Sequence, residues 1–211
     1  MELSAWYEGS FRTEDKSYGF DGDRRLEQHS HLFWGQALLA YTLPELKHSF
    51  YASLTAGGSV EADRFTAYRL GALLPLVAEF PLSLPGYYYQ EISAEKFCLF
   101  GANYIVPIDE KQRWNFNGTL TTAVVDYLKG LEQAGNWHTG VGVGILYKSQ
   151  YFKVMLGYAY GVDAIRSDGR GAHSIGILMQ MDWAQTREAL FNPEDPNRLR
   201  GFQRILGLFG S

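Results

Sequence analysis

Apolar side chains recur at every second position along nearly all of this chain, and that period constrains the fold more than any other feature. Period two sends successive side chains to opposite faces of a β-strand. In 139–147, Val141, Val143, Ile145 and Tyr147 alternate with Gly140, Gly142 and Gly144. In 174–183, Ile175, Ile177, Met179, Met181 and Trp183 alternate with Gly176, Leu178, Gln180 and Asp182. Val154, Leu156, Tyr158 and Tyr160 form a third stripe, and Trp114, Phe116, Leu120 and Val124 a fourth. Cys98, Phe100, Ala102, Tyr104 and Val106 repeat it, as do Phe50, Ala52, Leu54 and Ala56, and Leu3, Ala5, Tyr7 and Phe11. The run 31–43 is apolar on both faces.

The pattern predicts eight strands, at 2–11, 28–43, 48–60, 94–108, 113–126, 138–147, 152–162 and 173–183. Their connections alternate between long (12–27, 61–93, 127–137, 163–172) and short (44–47, 109–112, 148–151). An up-and-down sheet gives this alternation when one end faces the periplasm and the other the outside. Tilted strands of about 9 to 11 residues cross a bilayer, whereas soluble strands run about 5 to 6. Trp6, Trp34, Trp114, Trp183 and tyrosines near strand ends are expected to form aromatic girdles at the membrane interfaces. A soluble lipocalin-like ligand-binding barrel would also alternate, but with its apolar face turned inward; the Gly, Asn, Thr and Lys face here suits a wet lumen better.

Composition narrows the classes further. With 211 residues, 46% hydrophobic and 20% charged, the chain can bury a core. No apolar run approaches the roughly 18 residues of a membrane helix. A net charge of -4 argues against nucleic-acid partners, which need clustered Lys and Arg. The single cysteine, Cys98, leaves the redox compartment open. Residues 1–11 carry no signal peptide, so an exported protein would have another start, and Met1 is read as marking a fragment or a misplaced start.

At the long connection the chain reads YRLGALLPLVAEFPLSLPGYYYQEISAEKF and then LFGANYIVPID. This resembles the bacterial surface antigen superfamily of outer-membrane barrels, which includes the barrel-assembly factor, two-partner-secretion translocators and barrels fused to patatin-like phospholipases. Arg69, Leu70 and Gly71 match the start of that family's inward-folded loop, and Leu84, Pro85, Gly86 and Tyr87 its tip. Asn103, Tyr104, Pro107 and Ile108 match the strand after it, Val124, Val125 and Asp126 the end of the next, and Gly140, Gly142 and Gly144 a glycine-rich strand. The family has sixteen strands with the loop between the eleventh and twelfth, so its last eight give three strands, the loop, then five, as counted here. The resemblance implies an outer-membrane segment over 1–183 with an inward loop at 61–93, and Asp126 inside the lumen. It also implies that the tip arginine is replaced by Pro85 and the strand glutamate by Asn103, which leaves Arg69 as the candidate partner of Asp126.

The expected fold is therefore all-β, an antiparallel up-and-down transmembrane β-barrel or half-barrel of about eight strands. A closed eight-stranded barrel is the structural rival, but its interior is filled by its own side chains and has no room for the loop. Trp183 takes the terminal aromatic position. The tail 184–211 is expected to form a short basic amphipathic helix, with a cap at Asp195 and Pro196 and with Leu199, Phe202, Ile205, Leu206 and Phe209 at helical spacing. It would pack on the periplasmic rim or lie on the leaflet surface.

No cofactor, metal or catalytic site is expected. His29 and His31 lack accompanying ligands and are read as rim residues, and no motif links His138, Asp163, His173 and Ser174. The glycines at 140, 142 and 144 are not a dinucleotide fingerprint, since they lie inside a strand with no following helix; they are read as lumen glycines that let a loop approach. The expected role is membrane anchor and translocation, assembly or export pore, as the C-terminal part of a larger barrel that could follow a patatin-like domain. Its partners would be outer-membrane lipid, lipopolysaccharide, the barrel-assembly machinery and an upstream N-terminal domain. A small complete eight-stranded barrel acting as enzyme or adhesin is the alternative.

Overall fold

The computed structural model describes residues 1–14, 17–19, 24–72, 82–149, 151–167 and 169–183. In chain order the strands are β1 (Glu2–Phe11), β2 (Ser17–Tyr18), β3 (Arg24–Arg25), β4 (His29–Thr42), β5 (Ser49–Val60) and β6 (Tyr68–Leu70). They continue with β7 (Ile92–Pro107), β8 (Trp114–Tyr127), β9 (Trp137–Lys148), β10 (Phe152–Arg166) and β11 (Gly169–Met181). Eight long strands form one antiparallel up-and-down sheet in the order β1-β4-β5-β7-β8-β9-β10-β11. The small strand β6 adds to β7, and β2 pairs with β3 in a separate two-stranded ribbon between β1 and β4. The sheet is open: among the described residues, β1 and β11 each have a single neighbour.

The long strands coincide with the alternating segments to within a few residues, because the register keeps the apolar stripes in one row across all of them. Tyr7 pairs with Phe33, Leu54 with Phe100, Leu120 with Val141, Ile145 with Leu156, and Leu156 with Ile177. A slip of one residue at any seam would turn the whole stripe of the strand beyond it to the other side. This apolar face is uncovered: Leu120 is 43%, Val143 48% and Ile175 76% exposed. The opposite face, here called the inner face, is covered at one end by the connection between β5 and β7. The core lies there, around Leu70, Leu84, Ile92, Tyr87 and Val125.

Three expectations change. The connection assigned to 163–172 is strand: β10 runs on to Arg166 and β11 starts at Gly169, so long and short connections do not alternate throughout. The register shifts between Gly161 and Ile165, and this bulge bends the hairpin while extending its pairing past the segment where strict alternation ends. Trp6 and Trp34 belong to the inner face rather than to a girdle. They are register partners at even positions on strands whose odd residues form the apolar row, and their rings stack at 3.8 Å with 12° between planes. The short pairings β2 with β3 and β6 with β7 carry too few residues to show a period. The helix expected in 184–211 lies outside the described residues, while Trp183 is described and exposed just beyond β11.

The Trp6–Trp34 stack sets a stability difference between the faces. Trp34→Ala should lower the free energy of unfolding by about 3 kcal/mol, the usual cost of deleting a buried tryptophan. Trp114→Ala on the uncovered face should cost under about 1 kcal/mol in the same detergent. Urea unfolding of both variants in detergent measures the difference, and equal losses would mean that the stack carries no packing energy.

Candidate functional site: a connection docked on the inner face

The connection from Glu61 to Glu91 is tied down at its start, at its tip and at its end. Asp63 organises the start. Its Oδ1 accepts the amides of Phe65 (2.8 Å) and Thr66 (3.1 Å), while its own amide donates to Thr66 Oγ1 (2.9 Å), closing a reciprocal cap. Its Oδ2 accepts the Glu27 amide (3.2 Å) and an ion-paired hydrogen bond from Arg12, whose Nη1 also donates to the Glu27 carbonyl (2.8 Å). One carboxylate thus joins the end of β1, the segment before β4 and the docked connection. Only 2% of the Asp63 side chain is exposed. Burial alone would raise its pKa, but the Phe65 amide, the Arg12 guanidinium and the Thr66 amide together hold it below the ordinary 3.8.

From there the chain enters β6. Tyr68 packs edge-on against Phe97 and donates its hydroxyl to the Phe33 carbonyl (2.9 Å), with the Gly58 carbonyl 3.2 Å away. Arg69 donates to Ser93 Oγ (2.6 Å) and to the Arg64 carbonyl. Leu70 is fully buried. Gly71 follows at φ +127°, and a Cβ there would lie 2.2 Å from the Tyr88 carbonyl oxygen, so only glycine fits.

The tip is Leu84, Pro85, Gly86 and Tyr87, all buried. It rests backbone to backbone on two glycines that are register partners, Gly140 of β9 and Gly161 of β10. A Cβ on Gly140 would stand 2.1 Å from the Pro85 carbonyl oxygen, and one on Gly86 1.9 Å from the Gly161 nitrogen. Beside this floor the Tyr87 ring meets His138 edge-on, with centroids 5.6 Å apart. His138 bonds through Nε2 to Tyr127 Oη, which spends its only proton on the Gly135 carbonyl (2.7 Å). His138 therefore carries its proton on Nε2, and its buried Nδ1 has no hydrogen-bond partner among the described residues. Burial, and then the charge of Asp163, push the Tyr87 phenol above its ordinary value.

Glu91 fastens the end. Its carboxylate takes a two-pronged ion pair from Arg166 (2.6 and 3.0 Å) and the Tyr88 amide (2.6 Å), and the Arg166 guanidinium lies 4.0 Å above the Tyr88 ring. The pair is largely shielded, at 19% and 12% side-chain exposure. Between the first anchor and β1 remains a cavity of about 450 Å³ lined by Glu8, Ser10, Arg12, Leu32, Tyr68 and Arg69, among others.

These positions recast the sequence-derived site. Pro85, Gly86 and Tyr87 do form the docked tip, and Gly140 lies beneath it. Gly142 and Gly144 instead face Thr119 and the backbone of β10. Asp126 and Arg69 are not brought together. The bulge between Ala94 and Lys96 and the parity of β8 place Asp126 on the uncovered face, 3.5 Å from Lys96, with both side chains more than 60% exposed. His31 bonds to Tyr7 (2.8 Å) and His173 to Tyr158 (2.6 Å), both on the uncovered face. His173 and Ser174 are strand neighbours facing opposite ways, so no nucleophile and base are assembled from them. Sequence reasoning missed Gly161, Asp63, Glu91 and Arg166. Of these only Asp63 had a local signal, the spacing to Thr66.

Two outcomes test the docking. Gly140→Ala should displace the tip and raise the rate of proteolytic cleavage within 61–91 by about tenfold or more, matching about 1.4 kcal/mol of lost docking. Gly118→Ala, with nothing within 4 Å of the added carbon, should leave that rate unchanged. The second outcome concerns pH. The folded pKa of Asp63 lies below the unfolded value, so its contribution is complete above pH 3.8 and is lost as pH falls through the lower folded value. Asp63→Asn should weaken docking at neutral pH by about 2 to 4 kcal/mol and remove this acid sensitivity, as read by amide exchange of Phe65 and Thr66.

No protein-family model matches the chain, and no curated protein matches it significantly.

Proposed function

We propose that this chain is an outer-membrane β-barrel segment of the bacterial surface antigen type, serving as a membrane anchor and as part of a protein translocation, assembly or export pore, with the 61–91 connection as its plug. The observation that carries the reading is the uncovered face. An aliphatic middle, with Leu54, Val141, Val143 and Leu156 exposed, is bordered by aromatic rows at both ends of the strands. Tyr41, Phe50, Tyr104, Trp114 and Phe116 lie toward the short turns, and Tyr7, Phe11, Phe33 and Trp137 toward the long connections. Water penalises so large an apolar surface, whereas lipid with two interfaces accommodates this banding. Seven of the eight sheet-forming strands have 12 or more residues, more than the roughly 10 that a tilted crossing needs.

The opposite face supports the second half of the proposal. It carries Asn115, Asn117, Thr119 and Thr121 beside the glycines of β9, and the docked connection lies across it. A soluble binding barrel would reverse these faces. Catalysis has no support from the side chains assembled at the plug, where His138 is fully buried between two tyrosines.

Lipid contact separates the faces experimentally. In liposomes carrying brominated lipid, single-tryptophan variants retaining Trp114 or Trp137 should be quenched strongly, and one retaining Trp34 should be quenched weakly. Quenching confined to Trp34, or a chain that stays soluble and does not float with vesicles, defeats the membrane reading. Once the barrel is complete, planar bilayers should show stepwise conductance that grows in Gly140→Ala, in which the plug is displaced.

A further inference from the structure

We infer that the tyrosine–histidine pairs of the uncovered face are lipid headgroup contacts, in which an imidazole whose Nδ1 accepts the tyrosine hydroxyl turns its Nε2–H to a headgroup phosphate oxygen. The inference rests on the membrane reading above and names the chemistry that meets its two polar boundaries.

One arrangement occurs three times on this face, each time across one seam of the sheet. Tyr7 bonds to His31 Nδ1 at 2.8 Å, Tyr104 to His48 Nδ1 at 2.6 Å and Tyr158 to His173 Nδ1 at 2.6 Å. The direction repeats as well. His31 lies two residues beyond Phe33, the register partner of Tyr7, toward the long connection before β4. His173 lies two beyond Ile175, the partner of Tyr158, toward the turn between β10 and β11. His48 lies two beyond Phe50, the partner of Tyr104, toward the short turn before β5. Each phenol therefore leans toward one end of its strands and finishes on an imidazole nearer the rim.

The protons settle what each imidazole offers. A phenol is a stronger acid than a neutral imidazole, and a ring nitrogen is the better acceptor, so the tyrosine donates to Nδ1 and the ring proton stays on Nε2. A tyrosine at a bilayer boundary usually spends its hydroxyl on water or a headgroup. Here that need is met within the protein. The donor left over is Nε2–H, and an ionised phosphate oxygen is the strongest acceptor the boundary provides.

The levels agree with this assignment. Val60, the register partner of His31, is twelve residues along β5 from His48. At about 3.4 Å per residue and a tilt of about 40°, that is roughly 30 Å across the membrane, the thickness of its hydrocarbon core. The row that starts at Ser49, the first residue of β5, runs through Ile105, Asn117, Gly144 and Gly157 to Gly176, five residues short of the end of β11. The ends of the sheet thus step by about one residue per strand, as tilted strands require, and the same step brings His173 close to the level of His31. The ion pair of this face, Lys96 with Asp126, also sits at the long-connection end, where a polar boundary belongs.

Solid-state NMR reads the contact directly. The full chain, with isotope-labelled histidine nitrogens, is reconstituted in phosphatidylglycerol liposomes, and dephasing of each Nε2 signal by lipid phosphorus is measured. His31→Gln, His48→Gln and His173→Gln assign the signals. Those three should be dephased, while His138, buried beneath the plug, should not. Tyr7→Phe should lower the His31 dephasing about twofold or more, because a ring no longer held samples other rotamers, and should leave His48 and His173 unchanged. If none of the three is dephased while Trp114 is still quenched by brominated lipid, the inference falls and the membrane reading stands. A His31 signal that Tyr7→Phe leaves unchanged also overturns it, since the tyrosine then does not orient the ring. In a maltoside detergent, which has no phosphorus, added inorganic phosphate should dephase none of the three; full dephasing there means a site for the free ion and not a lipid contact. A chain that does not float with vesicles defeats the membrane reading and this inference with it.

Discussion

Keeping every apolar stripe on one side through seven seams is the constraint on which the rest of the sheet depends. The register pairs residues of like parity at the β1–β4, β5–β7 and β7–β8 seams and of opposite parity at the other four, and the apolar stripes change parity at those same four seams, so Tyr7, Leu54, Leu120, Val143 and Ile175 all end on the same face. Two irregularities interrupt the ladder, between Ala94 and Lys96 in β7 and between Gly161 and Ile165 in β10. Both lie at the end of the sheet where the long connection docks. A bulge re-aims side chains locally without changing the rest of a strand. That is where the sheet must stop being a uniform wall and start being a receptor for its own chain.

The docked connection is held by three kinds of interaction whose strengths differ for physical reasons. The ion pairs at its ends are shielded and geometrically complete: Asp63 is saturated by amides and a guanidinium, and Glu91 faces both prongs of Arg166. Breaking either leaves a largely buried carboxylate without its counter-charge. Lys96–Asp126, by contrast, lies in the open, where solvent screening reduces such a pair to little or nothing. The tip uses no charge. Pro85 and Gly86 are positioned by the absence of side chains on Gly140 and Gly161, so the contact is as close as two backbones allow and depends on shape alone.

How much of this was legible in the sequence follows from the range of each signal. Period two is local, so strands such as 2–11 and 49–60 could be read almost to the residue. Parity within a strand is local too, and it already placed Trp6 opposite to Leu3, Ala5 and Tyr7; the girdle expectation ignored it. The β10–β11 hairpin was hidden because the bulge at Gly161 to Ile165 breaks the alternation that identifies a strand. Glycines at 140, 142 and 144 look alike in sequence, yet only Gly140 lies under the tip, because contact with a connection more than fifty residues away selects one among them. Glu91 and Arg166 are 75 positions apart, and nothing local in either marks the other.

The ion pair that fastens the end of the connection to the sheet lies on the returning limb and not at the tip. Here the tip position is Pro85, the acid is Glu91 on the returning limb, and the base is Arg166 on the hairpin. A guanidinium on the sheet can present its planar fork to a carboxylate while lying over Tyr88, whereas a carboxylate on the sheet could not stack on the ring in that way. With the pair on the limb, the tip has no polar requirement to meet. A tip without charge can sit directly on Gly140 and Gly161, where a long cationic side chain would need the space that the Pro85 and Gly86 backbone now occupies.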